Sequence, residues 1–197
     1  WLGASNYTMY NTYTICEPQY NFTKHDVAML QRRIESVTIP VLQKAKMLRT
    51  EYDKIKFVFD YLVDTVEYVH GTNDQTICGS LLEGKCVCAG YANGMQYLLQ
   101  KLGIECLYIR GVCEGKESHA WNIVKCDGKY YQTDVTFGDR SFSSGIRDDY
   151  PVELEKNYAY LCTTDARIYR DRQPNIECKI PKCVSDDLNY FKRSGRY

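Results

Sequence analysis

The sequence has no long apolar run: its longest uninterrupted stretch is a few residues, well short of the roughly 20 that cross a bilayer. No transmembrane helix is therefore expected. It also lacks net charge, since 25 Lys and Arg balance 25 Asp and Glu over 197 residues. That balance excludes holding nucleic acid or an anionic membrane by bulk charge. No internal repeat, low-complexity tract or linker is visible, so the expectation is one domain with a single core. The chain begins at Trp1 and not at Met, which fits a trimmed end such as an exported or cell-surface protein carries, and no signal segment is present. Imidazoles are scarce, with only three histidines. What remains is 44% hydrophobic and 25% charged residues, an ordinary globular balance.

Cysteine is the residue in surplus, at ten positions. That is too sparse for a small disulfide-built scaffold. The close pairs Cys86/Cys88 and Cys178/Cys183 do not match the spacings of common zinc modules, so no structural metal and no cofactor are expected.

Along the chain, residues 1–24 show no sustained period and read as an irregular arm. Val27, Leu30, Ile34 and Val37 fall at helical spacing until Pro40, where the helix is expected to end, and Val41, Leu42, Ala45 and Leu48 resume the signal. Thr50 followed by Asp53 marks a helix start, with Ile55, Val58, Leu62 and Val66 on one face. Residues 71–85 read as a loop. Tyr91, Met95, Leu98 and Leu102 define another helix that Gly103 stops, and Cys88 occupies its first turn.

After Gly103 the period shortens. Segments 104–112, 119–126 and 129–136 read as strands, and Asp127-Gly128 as the tight turn of a hairpin. A further helix is possible around 152–160. Helices first and an antiparallel sheet afterwards make an α+β domain, with an arm at 1–24, a core at 25–140 and an extension of the same domain at 141–197.

Three residue types then fall in a chemically meaningful order: Cys88 at a helix start, His119 at the head of one strand, and Asp134 near the end of the next. A cysteine thiolate is the nucleophile, and both the positive end of a helix dipole and an adjacent imidazolium favour it. A turn centred on Asp127-Gly128 pairs His119 with Thr136 and makes Asp134 its diagonal neighbour, roughly 7–8 Å away between Cα atoms and within side-chain reach. Such an Asp would orient the imidazole, the third role in a nucleophile–base–orienter triad. His25 and His70 have no comparably placed Asp and read as structural.

The stretch Gly84-Lys85-Cys86-Val87-Cys88-Ala89-Gly90-Tyr91-Ala92 resembles the nucleophile segment of the transglutaminase-like superfamily. His119-Ala120-Trp121-Asn122 and Asp134-Val135-Thr136 resemble its histidine and aspartate segments. The resemblance implies a papain-like α+β core, Cys88 as nucleophile, His119 as general base and acid, and Asp134 as orienting carboxylate. It further implies acyl transfer on amide bonds of a peptide or protein substrate through a thioester. Peptidase or amidase activity is the first expectation, since no accessory domain to present a second protein is recognisable. Protein-glutamine transglutaminase activity is the alternative, and a non-catalytic binding module a more distant one. Tyr68 is the candidate for a second oxyanion donor beside the Cys88 N–H, and Trp121 and Asn122 for walls of the site. Asp139 matches a supporting position, and Phe137 replaces the Trp that the family carries there. No acidic cluster suggests the calcium sites of the large animal transglutaminases.

Overall fold

The structure, a computed structural model, describes residues 2–20, 22–113, 117–139, 156–175 and 179–195. It divides into two compact units, Trp1–Val37 and Thr38–Tyr197. In the first, the segment expected to be irregular forms an antiparallel hairpin of β1 (Leu2–Met9) and β2 (Thr14–Tyr20), with Tyr7 opposite Cys16 and Thr8 opposite Ile15. Its Thr, Tyr and Ile residues suit extended backbone. Tyr7, Met9 and Ile15 are all exposed, so no buried face imposes the alternation by which a strand is recognised.

Helix α1 (Lys24–Lys46) starts from a reciprocal cap: Thr23 Oγ1 accepts the Asp26 N–H, and Asp26 Oδ2 accepts the Thr23 N–H. Pro40 does not end it. The helix runs through the proline to Lys46, so the two expected pieces are one, at the loss of the backbone donor that proline lacks.

In the second unit, α2 (Glu51–Thr65) begins at Thr50, whose hydroxyl accepts the Asp53 N–H at 3.0 Å. It buries Ile55, Val58, Phe59 and Leu62. The loop expected at 71–85 is more ordered than its composition implies. Residues Gly79–Glu83 form a single π-helical turn, and β4 (Lys85–Cys86) pairs in parallel with β3 (Glu67–Tyr68). Helix α3 (Cys88–Lys101) then packs on α2 with Tyr91, Met95, Leu98 and Leu99 buried. Gly103 closes it in the left-handed region at φ +76°, and the Ile104 N–H returns to the Leu99 carbonyl.

A four-stranded antiparallel sheet covers α3, in the order β7 (Lys129–Thr133), β6 (Ser118–Cys126), β5 (Cys106–Cys113), β8 (Arg172–Pro174). The hairpin register is the expected one, with Cys126 opposite Lys129 and Asn122 opposite Thr133. Asp127 and Gly128 both take positive φ, as a tight two-residue turn requires. Cys106 lies opposite Val124. Strand β7 stops at Thr133, three residues earlier than expected, because Asp134 leaves the ladder to cap α4 (Val135–Gly138). Of the helix expected at 152–160, residues 152–155 lie outside the described residues, and Tyr158–Tyr160 form one 3-10 turn.

The C-terminal segments finish the sheet at both edges. Thr163 exchanges two backbone hydrogen bonds with Gln132 of β7, and β8 pairs with β5 at the opposite edge. Each contact takes up backbone groups that β7 or β5 would otherwise leave unpaired. Gly111 of β5 permits that approach, since a Cβ there would fall 2.1 Å from the Gln173 carbonyl oxygen. Two short helices, α5 (Asp165–Ile168) and α6 (Tyr190–Arg193), complete the described elements.

Candidate active site

Cys88 is the first residue of α3, with Val87 at the N-cap supplying no side-chain cap. Its thiol therefore sits at the positive end of a 14-residue helix, where unsatisfied N–H groups favour negative charge. Gly90, two residues on, is held against the preceding chain. A Cβ there would come within 2.4 Å of the Cys86 Cβ and 2.5 Å of the Asp74 carbonyl oxygen. Cys88 itself is partly exposed, whereas Cys86 is buried and its thiol is pushed up to about 12, chiefly by burial.

His119 is 7% exposed and lies on β6. Its Nε2 is 2.7 Å from Asp134 Oδ2, and His119 lines the same groove as Cys88. With Nε2 taken by the carboxylate, Nδ1 is the ring nitrogen left for the thiol. Burial opposes the imidazolium, but the charge and hydrogen bond of Asp134, with the neighbouring Cys88 thiol, outweigh it, and the His119 pKa is pushed up to about 9. Asp134 is fully buried. Desolvation pushes its pKa up, and the His119 and Arg172 charges more than reverse that, so the carboxyl is held below its ordinary range. Its Oδ1 accepts the Phe137 N–H at 3.2 Å as the cap of α4. The expected triad residues thus converge, with Asp134 reaching His119 from a helix cap and not from a diagonal strand position.

Tyr68 arrives by the β3–β4 bridge. Its partner in that bridge is Cys86, two residues before Cys88. Tyr68 and Cys88 both line one groove, and the phenol is pushed up to about 12 by burial and by the neighbouring Cys88. The Tyr68 ring stacks on Tyr91 at 6.5 Å between centroids. The Tyr91 hydroxyl lies 2.7 Å from the Val66 carbonyl and 3.1 Å from Asp139 Oδ2, which fixes the end of α2 against α3.

A groove of about 500 Å³ opens over the thiol, lined by Cys88, His119, Tyr68, Tyr108, Arg110 and His70 among others. His70, read from sequence as structural, reaches this groove, and its Nδ1 lies 3.3 Å from Asp74 Oδ2. The four-residue spacing of His70 and Asp74 was the available signal.

Trp121 and Asn122, expected as walls, are not among the residues lining the groove, and each is 1% exposed. Trp121 Nε1 donates to Gln132 Oε1 at 2.8 Å, and its ring stacks against His119 at 5.9 Å. It supports the imidazole from inside the core. Asn122 Nδ2 donates to the Ala92 and Leu107 carbonyls at 3.1 and 3.2 Å, tying the sheet to α3. Alternation along a buried strand explains both placements: neither of its faces meets solvent at these positions.

Sequence reasoning missed Arg172. Its guanidinium is fully buried, its Nη1 donates to Asp134 Oδ2, and its Nε donates to Asp171 Oδ1 at 2.7 Å. No local pattern in a three-residue strand points to it.

For a metal, the described residues bring Glu51, Cys126 and Asp127 within 4.8 Å of one another. None of them lines the groove, and Glu51 Oε2 already accepts the Asp127 N–H at 2.7 Å, which pins the hairpin turn to α2. Cys178, one of the thiols weighed for zinc, lies outside the described residues.

A cysteine at a helix start, meeting an antiparallel sheet whose buried histidine pairs with an aspartate just beyond the last residue of β7, is an α+β arrangement of the papain-like kind. Residues 41–135 match the model of the transglutaminase-like superfamily. Among solved structures it is similar to a crystal structure of a TGase, with 16% identity, a TM-score of 0.54 and 76% of this chain covered. It is also similar to a candidate cysteine protease from Cytophaga hutchinsonii, with 21% identity, a TM-score of 0.46 and 59% of this chain covered. A candidate protease from Parabacteroides distasonis gives 13%, 0.39 and 64%. The matched regions span 47%, 43% and 30% of those chains, less than half of each. No curated protein matches the sequence significantly.

Proposed function

We propose that this protein is a cysteine-dependent acyl-transfer enzyme acting on amide bonds of peptides or proteins. The observation that supports the reading is that Cys88, at the start of α3, shares a groove with His119, whose Nε2 is 2.7 Å from Asp134 Oδ2.

His119 holds the proton that the thiol gives up, stabilised as imidazolium by Asp134. The Cys88 sulfur attacks the amide carbonyl carbon, and the carbonyl π pair moves onto oxygen. The Cys88 N–H and the Tyr68 O–H are the donors assigned to that oxyanion in this reading. On collapse the C–N bond breaks, the His119 proton passes to the nitrogen, and the amine or ammonia leaves a thioester on Cys88. Water, its proton taken by His119, then attacks the thioester, and the acid departs as the thiol is restored.

Hydrolysis is favoured over amine transfer by the partial exposure of Cys88 among the exposed residues His70, Gln75, Arg110 and Ser118, which leave water free to reach the thioester. The test is to compare hydrolysis of a fluorogenic casein with incorporation of a fluorescent primary amine into the same protein, using the native chain and Cys88→Ala. Hydrolysis that C88A abolishes supports the reading. Incorporation without hydrolysis assigns the amine as acceptor instead, and activity retained in C88A removes the nucleophile.

A further inference from the structure

Asp134 is held from two sides. On Oδ2 it meets His119 Nε2 and Arg172 Nη1, two cationic groups on one carboxylate oxygen. Arg172 is held in turn by Asp171 Oδ1, and the other oxygen of Asp171 accepts from the Tyr160 hydroxyl at 3.3 Å. The Asp134 N–H is fixed by the Tyr160 carbonyl at 2.9 Å.

Three rings stand around the guanidinium, and two of them also meet the His119 ring. The guanidinium lies 4.2 Å from the Phe137 centroid, 5.2 Å from Tyr160 and 5.8 Å from Trp121. The His119 ring meets Phe137 at 5.0 Å and Trp121 at 5.9 Å. Cation–π attraction and burial together hold the guanidinium in one place.

A packing role alone does not explain this residue. Buried ion pairs are poor sources of net stability compared with apolar side chains of similar volume. Arg172 Nη2 is, moreover, buried with no hydrogen-bond partner among the described residues, a position that an apolar side chain would fill without penalty.

We infer that Arg172 is a positioning residue of the proposed acyl-transfer site, which fixes the Asp134 carboxylate on His119 and limits how strongly that carboxylate holds the imidazolium proton. The inference rests on the triad reading given above. Its physical content is a division of one negative charge between two positive ones. Facing Asp134 alone, the imidazolium would hold its proton more firmly. With Arg172 on the same oxygen, part of that attraction is withdrawn, as the opposed effects of the two residues on His119 show. The groups facing His119 are Asp134, Arg172 and Cys88, and beyond Arg172 stand Asp171 and Cys113. The site is therefore completed by β8, which lies outside the segment 41–135 that defines the family.

The experiment compares wild type with Arg172→Met and Arg172→Lys by thermal melting, steady-state kinetics and titration of the His119 imidazole by NMR. In R172M, kcat is expected to fall at least tenfold with KM within twofold, and His119 to titrate at higher pH than in wild type. R172K should lie between the two on both measures, because it keeps the charge and loses the fork. An unmoved His119 midpoint in either folded variant, or a wild-type kcat in it, overturns the inference. If R172M fails to fold, R172K decides by the same criteria. The titration needs no substrate. A His119 midpoint that moves in a protein with no amidase activity would therefore count against the acyl-transfer reading while leaving the Arg172–Asp134–His119 coupling in place.

Discussion

His119 Nε2 and Asp134 Oδ2 lie 2.7 Å apart although the two residues are not paired in the sheet. Strand β7 ends one residue before Asp134, which turns out to cap α4 while its second oxygen faces the imidazole. The same carboxylate thus serves a helix end, a histidine and an arginine. That economy makes the site sensitive to pH from both directions.

The His119 pKa of about 9 lies above the ordinary histidine value of about 6.5. A group raised on folding stabilises the native state fully below its unfolded pKa and loses that contribution as pH rises through the folded one. Asp134, held low, contributes above the ordinary carboxylate range and loses its contribution as pH falls below it. Melting temperature should therefore decline from about pH 7 to 9, and again in acid. In His119→Asn the alkaline decline should flatten. An unchanged alkaline limb in that variant would show that His119 is not the group responsible.

Thiol reactivity should be uneven. Burial pushes the thiols of Cys86, Cys113 and Cys126 up to about 12 and those of Cys106, Cys162 and Cys183 higher still. Exposed Cys16 and groove-lining Cys88 remain accessible. Near neutral pH, iodoacetamide should modify Cys88 before Cys16, and His119→Ala should remove that advantage. Peptide mapping by mass spectrometry reads the order, and equal rates at Cys88 and Cys16 in the native protein would contradict an activated thiol.

Tyr68→Phe removes only the hydroxyl and keeps the ring that stacks on Tyr91. Loss of one oxyanion donor elsewhere lowers kcat on the order of a hundredfold. A drop of about ten- to a hundredfold in kcat is expected here, with KM and melting temperature little changed. A wild-type kcat would leave the Cys88 N–H without this partner in the reaction.

Gly90→Ala probes the packing beneath the nucleophile. The new methyl would meet the Asp74 carbonyl and Cys86, backbone and core atoms that cannot swing away. Overpacking of this kind costs about 1–3 kcal/mol. The melting temperature should fall, and Cys88 alkylation should slow as the helix start shifts. Wild-type stability would mean that the β4 segment yields easily.

Much of this site could be read along the chain because its signals are local. Thr50 and Asp53 announce a helix start, Tyr91 to Leu98 show the buried stripe that places Cys88 in a first turn, and Asp127-Gly128 fixes the hairpin register. Where the reading failed, the deciding contact was distant or no face was buried. The hairpin at Leu2–Tyr20 has exposed apolar side chains, so alternation could not reveal it. Pro40 is a local stop signal that the helix overrides.

The order of thiol, imidazole and carboxylate, and the family they mark, were determined by sequence alone, since each depends on residue type and short spacing. Only the tertiary structure decided that Asp134 meets His119 from a helix cap, that Trp121 and Asn122 face inward, that Tyr68, already a candidate from sequence, lines the groove beside Cys88, and that Arg172 reaches Asp134. Those placements depend on the parallel bridge to Cys86 and on a C-terminal strand 38 residues beyond Asp134. Chain segments so far apart meet through packing and hydrogen bonding across the fold, which leave no periodic trace in the sequence.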